Sequence, residues 1–246
     1  MLRIEHLTKR YKGGKTAVSD LSLHVRPGDI YGFIGRNGAG KTTTIKCVVG
    51  IHEFDAGEIR VDGLSVRKEA LECKKRLAYL PDNPELYEYL TGIQYLNFMA
   101  DVFQLSAGER REAIKREAED FGIYDTLGDL ISSYSHGMKQ KLAIIGGLIH
   151  RPGLLILDEP FVGLDPEAAL KLKEKMKALC AEGSAVFFST HVLDVAEKLC
   201  SRIAIISGGK LVLEGETGQV LGNRSLEQIF MEVAVNAQTD QTVNGD

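Results

Sequence analysis

One stretch of the chain combines glycines, a lysine and a hydroxyl in a spacing that can hold phosphate. It runs Gly35, Arg36, Asn37, Gly38, Ala39, Gly40, Lys41 and Thr42, after an apolar run and before a helix-like segment at 43–49. Glycines let the backbone curl so that its N–H groups face phosphate oxygens, with Lys41 as a point charge and the Thr42 hydroxyl on Mg²⁺. A chance glycine-rich turn is the alternative, and it leaves the flanking strand and helix unexplained. We therefore predict a nucleotide site made of this loop and Thr43.

Two adjacent carboxylates form the second candidate site. Asp158 and Glu159 come directly after the apolar run 154–157. Ligands of open α/β sheets bind beyond the carboxyl ends of the strands, which is where such a run would deliver both side chains. In a phosphate-transfer site Asp158 would hold Mg²⁺, directly or through water, and Glu159 would polarise the attacking water. An isolated strand ending in Asp-Glu is often only a solvated strand end, but a phosphate loop in the same chain favours the catalytic interpretation.

A histidine follows another apolar strand pattern. His191 comes after residues 187–190, which would place it at the same edge of the sheet as the carboxylates. A lone histidine there is often structural, and the residues alone leave both roles open.

The elements that must position these residues alternate between strand and helix patterns. Strand patterns occupy 2–4, 21–25, 30–34, 58–63, 154–157, 185–188 and 210–215. Helix patterns occupy much of 93–149, then 166–180 and 225–233, and the ending 238–246 has almost nothing apolar to bury. Short, continuously apolar strands are typical of a parallel sheet that is buried on both faces. The sequence therefore predicts an α/β fold with a helical block in its middle.

Composition excludes several classes of protein. The chain has 246 residues, 44% hydrophobic and 26% charged, with a net charge of -4, so we expect a globular fold and no nucleic-acid partner. A membrane-spanning helix needs about 20 apolar residues, and the apolar run 142–149 ends at His150-Arg151-Pro152. The N-terminus mixes charged and apolar residues, unlike a secretory signal. The four widely spaced cysteines predict reduced thiols rather than a zinc site or disulfides.

Taken in this order, these elements resemble the ATP-binding subunit of ABC transporters over about residues 2–222. The segment 134–140 is similar to the signature motif of that family, usually Leu-Ser-Gly-Gly-Gln. It keeps Ser135 and Gly137 and departs from the motif at Tyr134, His136 and Met138. The motif supplies a hydroxyl and a close backbone N–H at a helix N-terminus, and Ser135 and Gly137 still supply both groups. A helix that is merely capped by Ser135 is the alternative.

The resemblance implies further site residues. Tyr11 matches the aromatic that stacks on adenine, and Asp165 lies in the loop that meets the opposite subunit. His191 matches the histidine that contacts the γ-phosphate, and this makes Lys41, Glu159 and His191 the expected catalytic residues. Asp82 replaces the glutamine of the Q-loop. It would reach Mg²⁺ through a water, or it serves only as a turn former within Pro81-Asp82-Asn83-Pro84.

The domain organisation follows from the same resemblance. It implies a P-loop NTPase core with a mainly parallel sheet, an N-terminal antiparallel β subdomain and an inserted helical subdomain at about 85–150. Residues 1–222 would form the ATPase domain. Residues 223–246 would add a short helix and a disordered tail.

The resemblance also implies partners and a location. Two subunits, identical or homologous, would pack head to tail around two ATP molecules with Mg²⁺, each held by one phosphate loop and by the opposite signature residues Ser135, His136, Gly137 and Met138. Separate integral membrane permease subunits would dock at a groove between the Asp82 loop and the helical block 92–130. The chain would lie on the cytoplasmic face of the membrane, and the motifs look most like those of exporter-type ATPases.

Two other functions are weighed against this one. A soluble ABC ATPase that acts on nucleic acid, ribosomes or an assembly scaffold usually carries two ATPase units or a long coiled coil, and the acidic net charge also speaks against it. A GTPase-like switch would need an Asn-Lys-x-Asp guanine reader, which the sequence lacks.

Overall fold

The computed structural model describes residues 1–233, which form two sheets and the helices packed around them. The strands are β1 (Leu2–Arg10), β2 (Thr16–Val25), β3 (Ile30–Ile34), β4 (Ala56–Val61), β5 (Leu64–Ser65), β6 (Leu77–Leu80), β7 (Leu154–Asp158), β8 (Ala185–Thr190), β9 (Arg202–Ser207) and β10 (Lys210–Glu216). The helices are α1 (Lys41–Val48), α2 (Ala70–Arg76), α3 (Gly92–Val102), α4 (Ala107–Asp120), α5 (His136–Leu148), α6 (Pro166–Ala181), α7 (Leu193–Leu199) and α8 (Thr217–Leu221).

The central sheet has six strands in the order β10-β9-β3-β8-β7-β6. All neighbouring strands are parallel except β10, which returns antiparallel to β9. Every residue of β3, β7 and β8 is buried, as expected for strands with helices or a second sheet on both faces. The predicted α/β fold with a mainly parallel sheet is confirmed.

The N-terminal strands build a second, antiparallel sheet in the order β2-β1-β4-β5. Its inner residues share one hydrophobic core with one face of the central sheet, where Phe33 and Phe187 pack with ring centroids 5.4 Å apart. Strand β1 extends well beyond the predicted 2–4. The register shifts after Ile4, and His6 has a φ of 53°, so the alternation that marks a strand in sequence is broken. The expected antiparallel β layer is present.

Three helices, α3 to α5, lie between β6 and β7 in the chain. Capping boxes at Thr91 and Ser106 start α3 and α4, and Ser135 caps α5. The side chain of Tyr134 is buried among them, and its hydroxyl donates to the carbonyl of Thr126 at 2.7 Å. A Cβ at Gly92 would collide with that hydroxyl, so the glycine accommodates this departure from the signature motif.

The last described segment is helical from 226 to 233, where the sequence predicts a helix. Leu226 and Ile229 bury their side chains in the core, and the N–H of Leu226 donates to Glu197 at 2.7 Å. The predicted disordered tail lies outside the described residues, and the division of the chain at residue 222 stays a prediction. Within 1–233 no helix is both long and apolar enough to cross a membrane.

Candidate nucleotide-binding site

The glycine-rich loop joins the buried strand β3 to helix α1. Gly40 precedes the helix with a φ of 112°, and no side chain caps the first turn. A Cβ at Gly40 would lie 2.6 Å from the carbonyl oxygen of Ala17, so both the conformation and the packing require glycine. The Lys41 ammonium donates to the carbonyl oxygens of Gly35 at 2.7 Å and Arg36 at 3.4 Å. Helix N–H groups without a side-chain cap and a buried lysine make a site for an anion.

A cleft of about 610 Å³ opens over this loop. Ten of the predicted site residues line it: Tyr11, Asn37, Gly38, Gly40, Lys41, Thr42, Thr43, Asp82, Glu159 and His191. Arg36 and Ala39 instead border a smaller cavity behind the loop, beside Phe230. Gly35 packs against Ile206, where a Cβ would lie 2.6 Å from the Ile206 carbonyl oxygen. The cleft has the volume of a site for a small molecule, and at least five separate chain segments deliver polar side chains to it.

The two carboxylates at the end of β7 have different surroundings. Asp158 is 1% exposed; the Ser189 hydroxyl donates to its Oδ1, while Oδ2 has no hydrogen-bond partner within the described residues. Glu159 reaches into the cleft, with Oε1 3.3 Å from Lys41 Nζ and Oε2 3.0 Å from His191 Nδ1. The structure therefore brings together the three side chains predicted as catalytic.

The backbone of Glu159 lies in the left-handed region, with a φ of 48°. Its N–H donates both to the carbonyl oxygen and to the hydroxyl of Ser189, each at 3.2 Å. Such a conformation costs a residue with a side chain on the order of 1–3 kcal/mol and persists only where its surroundings hold it. Strain of this kind is common at functional sites.

Tyr11 and Asp82 lie at the rim of the cleft. Tyr11 is 40% exposed, and its hydroxyl lies 3.2 Å from that of Thr43. An exposed ring held at this point offers a face for stacking. Asp82 is exposed, and its Oδ1 accepts from the N–H of Asn83 at 3.0 Å. This bond is typical of a turn former, and it leaves the second carboxylate oxygen available to the cleft.

The residues of the signature segment do not line this cleft. Ser135 accepts from the N–H of Met138 at 3.3 Å and so caps α5. The start of α5 packs against the loop before α6: a Cβ at Gly163 would lie 3.0 Å from the ring of His136, and Lys141 Nζ lies 2.7 Å from Asp165 Oδ2. The N–H of Ala168 and the Lys141 ammonium together lower the pKa of Asp165. The signature segment and the Asp165 loop thus form one surface of the chain.

Several cleft residues are missed by sequence reasoning. Lys15, Thr16 and Ala17 also line the cleft, as do Gly208 and Gly209. The N–H of Gly209 donates to the carbonyl oxygen of Ala39 at 2.9 Å. The glycine pair is recognisable as a turn, but nothing in the sequence shows that this turn reaches the phosphate loop.

A phosphate loop at the carboxyl edge of a parallel sheet, with a carboxylate pair two strands away and a histidine between them, defines a P-loop nucleoside-triphosphate hydrolase. Residues 18–162 match the family described as "ABC transporter". The chain belongs to the ABC transporter family, in which it is an ATP-binding subunit and an ATPase.

Three curated relatives and one solved structure show the range of similarity. The uncharacterized ABC transporter ATP-binding protein YhcH of Bacillus subtilis is 39% identical, over 86% of this chain and 68% of that protein. The linearmycin resistance ATP-binding protein LnrL of the same species is 36% identical, with 87% and 69% covered. The Nod factor export ATP-binding protein I of Paraburkholderia xenovorans is 34% identical, with 87% and 71% covered. A solved structure of the ATP binding subunit of an ABC transporter superimposes with a TM-score of 0.91 at 31% identity, covering 95% of this chain and 99% of that one.

Proposed function

We propose that this chain hydrolyses ATP to drive export through separate membrane subunits, with the cleft over the phosphate loop as its catalytic site. The observation that carries the proposal is the placement of Glu159 between Lys41 and His191 at the wall of that cleft. Lys41 and the first amides of α1 bind the phosphates. Glu159 accepts a proton from the attacking water, and His191 orients Glu159 and contacts the γ-phosphate.

The donor set fits Mg²⁺. Asp158 has a buried carboxylate oxygen without a partner within residues 1–233, next in the chain to Glu159, which lines the cleft together with Thr42. Oxygen ligands of this kind are those that Mg²⁺ prefers, and Asp82 would add a contact through water. Bound with ATP, Mg²⁺ would supply positive charge that offsets the charge of the phosphates. Thr42 and Asp158 would hold it, and Tyr11 would stack on the adenine.

We propose that the catalytic site is completed by a second subunit, a copy of this chain or a homologous one. The signature residues Ser135, His136, Gly137 and Met138 lie outside the cleft of their own chain, and so does Asp165. Because α5 and the Asp165 loop are joined by the Lys141 ion pair, both present one surface to a partner. Packed head to tail, that surface would cover the phosphate site of the opposite subunit.

A groove of about 390 Å³ is the proposed docking place for the membrane subunits. It runs between β6 and α3 and includes Leu86, Tyr95 and Met99. The exposed rings of Tyr87, Tyr89 and Phe98 pack against one another. Tyr87 and Phe98 are chain neighbours of the groove residues Leu86 and Met99. The loop that carries Asp82 joins this groove to the cleft, so it offers a short path between nucleotide and membrane partner. Docking there would hold the chain at the cytoplasmic face of the membrane.

Export is the direction that the relatives favour. One is named for resistance to linearmycin and another for export of Nod factor, and both match most of this chain. Copurification with a polytopic membrane protein tests this assembly. Recovery of the chain with ribosomes or nucleic acid instead would favour the soluble ABC ATPase.

Glu159→Gln tests the catalytic proposal. The amide keeps the shape of the side chain but cannot accept the proton, so we expect hydrolysis to fall at least 100-fold while ATP binding persists. ATP should then hold two subunits together, which gel filtration with and without ATP would show. The matched control is Glu182→Gln, an exposed glutamate at the far end of α6, which should hydrolyse ATP normally. Undiminished hydrolysis by the Glu159 variant would remove this residue from the mechanism.

A further inference from the structure

Ser189 lies in β8 beside the carboxylate pair and is completely buried. The register of the sheet pairs it directly with Asp158. Its hydroxyl donates to Asp158 Oδ1 and accepts from the N–H of Glu159 at 3.2 Å. A serine hydroxyl has one proton to donate and lone pairs to accept, so both bonds form at once. One side chain therefore contacts both carboxylate residues of the site.

The first effect of this contact is on Asp158. Its Oδ1 is fixed by Ser189, whereas Oδ2 is buried and has no partner within the described residues. A carboxylate that is held through one oxygen presents the other in a defined direction. Ser189 thus determines which oxygen Asp158 offers to a metal ion.

The second effect is on Glu159. Its left-handed backbone at φ 48° directs the carboxylate toward Lys41 and His191. The carbonyl and the hydroxyl of Ser189 both accept from the Glu159 N–H, so a single residue holds this strained amide. Without the hydroxyl, the Glu159 N–H would keep only its bond to the Ser189 carbonyl oxygen, so the strained backbone would be held by one bond instead of two.

We propose that Ser189 is a positioning residue of the ATPase: it orients Asp158 toward Mg²⁺ and holds Glu159 in its catalytic conformation. It acts through these two residues and touches no reacting atom. The inference rests on the proposed roles of Asp158 and Glu159. It also accounts for a hydroxyl at a completely buried position that directly follows the apolar run 185–188 of β8.

Ser189→Ala is the test. The variant loses the hydrogen bond from Ser189 to the Asp158 carboxylate. Because hydrogen bonds to charged groups are stronger than neutral ones, we expect this loss to lower kcat roughly 10- to 100-fold. A second readout uses the Glu159→Gln background, in which ATP binding can be titrated without hydrolysis. There, adding Ser189→Ala should raise the Mg²⁺ concentration for half-maximal binding of a fluorescent ATP analogue roughly tenfold, while binding in EDTA stays unchanged.

Ser201→Ala is the matched control. Its hydroxyl accepts from the N–H of Ile30 at 3.1 Å and donates to the carbonyl oxygen of Ile30 at 3.3 Å. These bonds lie at the amino ends of the strands β3 and β9, whereas Ser189 lies near the carboxyl end of β8. We expect normal kcat and normal Mg²⁺ dependence from this variant. If Ser189→Ala keeps the wild-type Mg²⁺ dependence and kcat, the positioning role is wrong. It is equally wrong if kcat falls only in proportion to folded protein, with Mg²⁺ dependence unaltered.

The two proposals fail in different ways. If Glu159→Gln hydrolyses ATP at the wild-type rate, the catalytic proposal itself is wrong. An inactive Glu159→Gln together with a fully active Ser189→Ala contradicts only the role of Ser189.

Discussion

His150 should make the stability of this protein depend on pH in a defined window. The residue follows α5, borders the docking groove and stacks on Phe103, with ring centroids 3.5 Å apart and planes at 3°. Within the described residues no side chain pairs with either ring nitrogen, and a contact with the backbone of Leu77 favours the protonated ring less than burial disfavours it. Burial lowers the pKa of His150 from 6.5 to about 4. The folded protein therefore keeps this imidazole neutral at pH values where the unfolded chain protonates it.

The sign and size of the effect follow from linkage. Between pH 6.5 and pH 4 the unfolded chain binds more protons at this position, so the free energy of unfolding falls as the pH falls. A drop from pH 7.5 to 5.5 crosses the unfolded pKa by about one unit, which corresponds to about 1 kcal/mol. The contribution of neutral His150 to the free energy of unfolding is fully present well above pH 6.5. It is completely lost only below pH 4.

Urea denaturation of the wild type and of His150→Phe at both pH values measures this term. Phenylalanine keeps a ring against Phe103 and cannot titrate, so the variant should lose about 1 kcal/mol less than the wild type over this range. Subtracting the pH-dependent change in the free energy of unfolding of His150→Phe from that of the wild type cancels the contribution of every other titrating group. His6→Asn, which removes an exposed histidine, serves as the control. Equal pH dependence in the wild type and His150→Phe would refute the reasoning.

Three further variants test the site. Lys41→Ala removes the charge that faces the phosphates, so ATP affinity itself should fall, by roughly 10-fold or more in equilibrium binding, without loss of the folded state. Ser135→Arg places a bulky side chain at the start of α5; isolated chains should still bind ATP, while ATP-dependent dimerisation and cooperative hydrolysis are lost. Asp82→Asn keeps the turn and removes the charge, so hydrolysis should need more Mg²⁺. An unchanged rate and Mg²⁺ dependence in this variant would leave Asp82 as a loop residue only.

The phosphate loop and the central strands could be predicted because local sequence determines them. Strand β3 has the bounds that its apolar run indicates, and α6 differs from its predicted range by one residue. Both follow from continuous burial or from clear end signals: Asp165 caps α6 with a bond from the N–H of Ala168 at 2.8 Å, and Pro166 occupies its first position.

What could not be predicted depends on contacts between distant segments. The cleft wall at Ala17 meets Gly40 and Gly209 only because the antiparallel sheet folds over the parallel one. Ser189 looks like any strand residue until the register sets it opposite Asp158. The end of β1 was missed because its register shifts disturb the alternation on which a sequence reading relies.

The left-handed backbone at Glu159 lowers the stability of the fold at the residue on which catalytic turnover depends. Glycine adopts a φ of 48° without steric cost, so a glycine at this position would release strain on the order of 1 kcal/mol while it abolished the general base. A search for stabilised variants of this chain that ignores activity should therefore recover glycine at position 159.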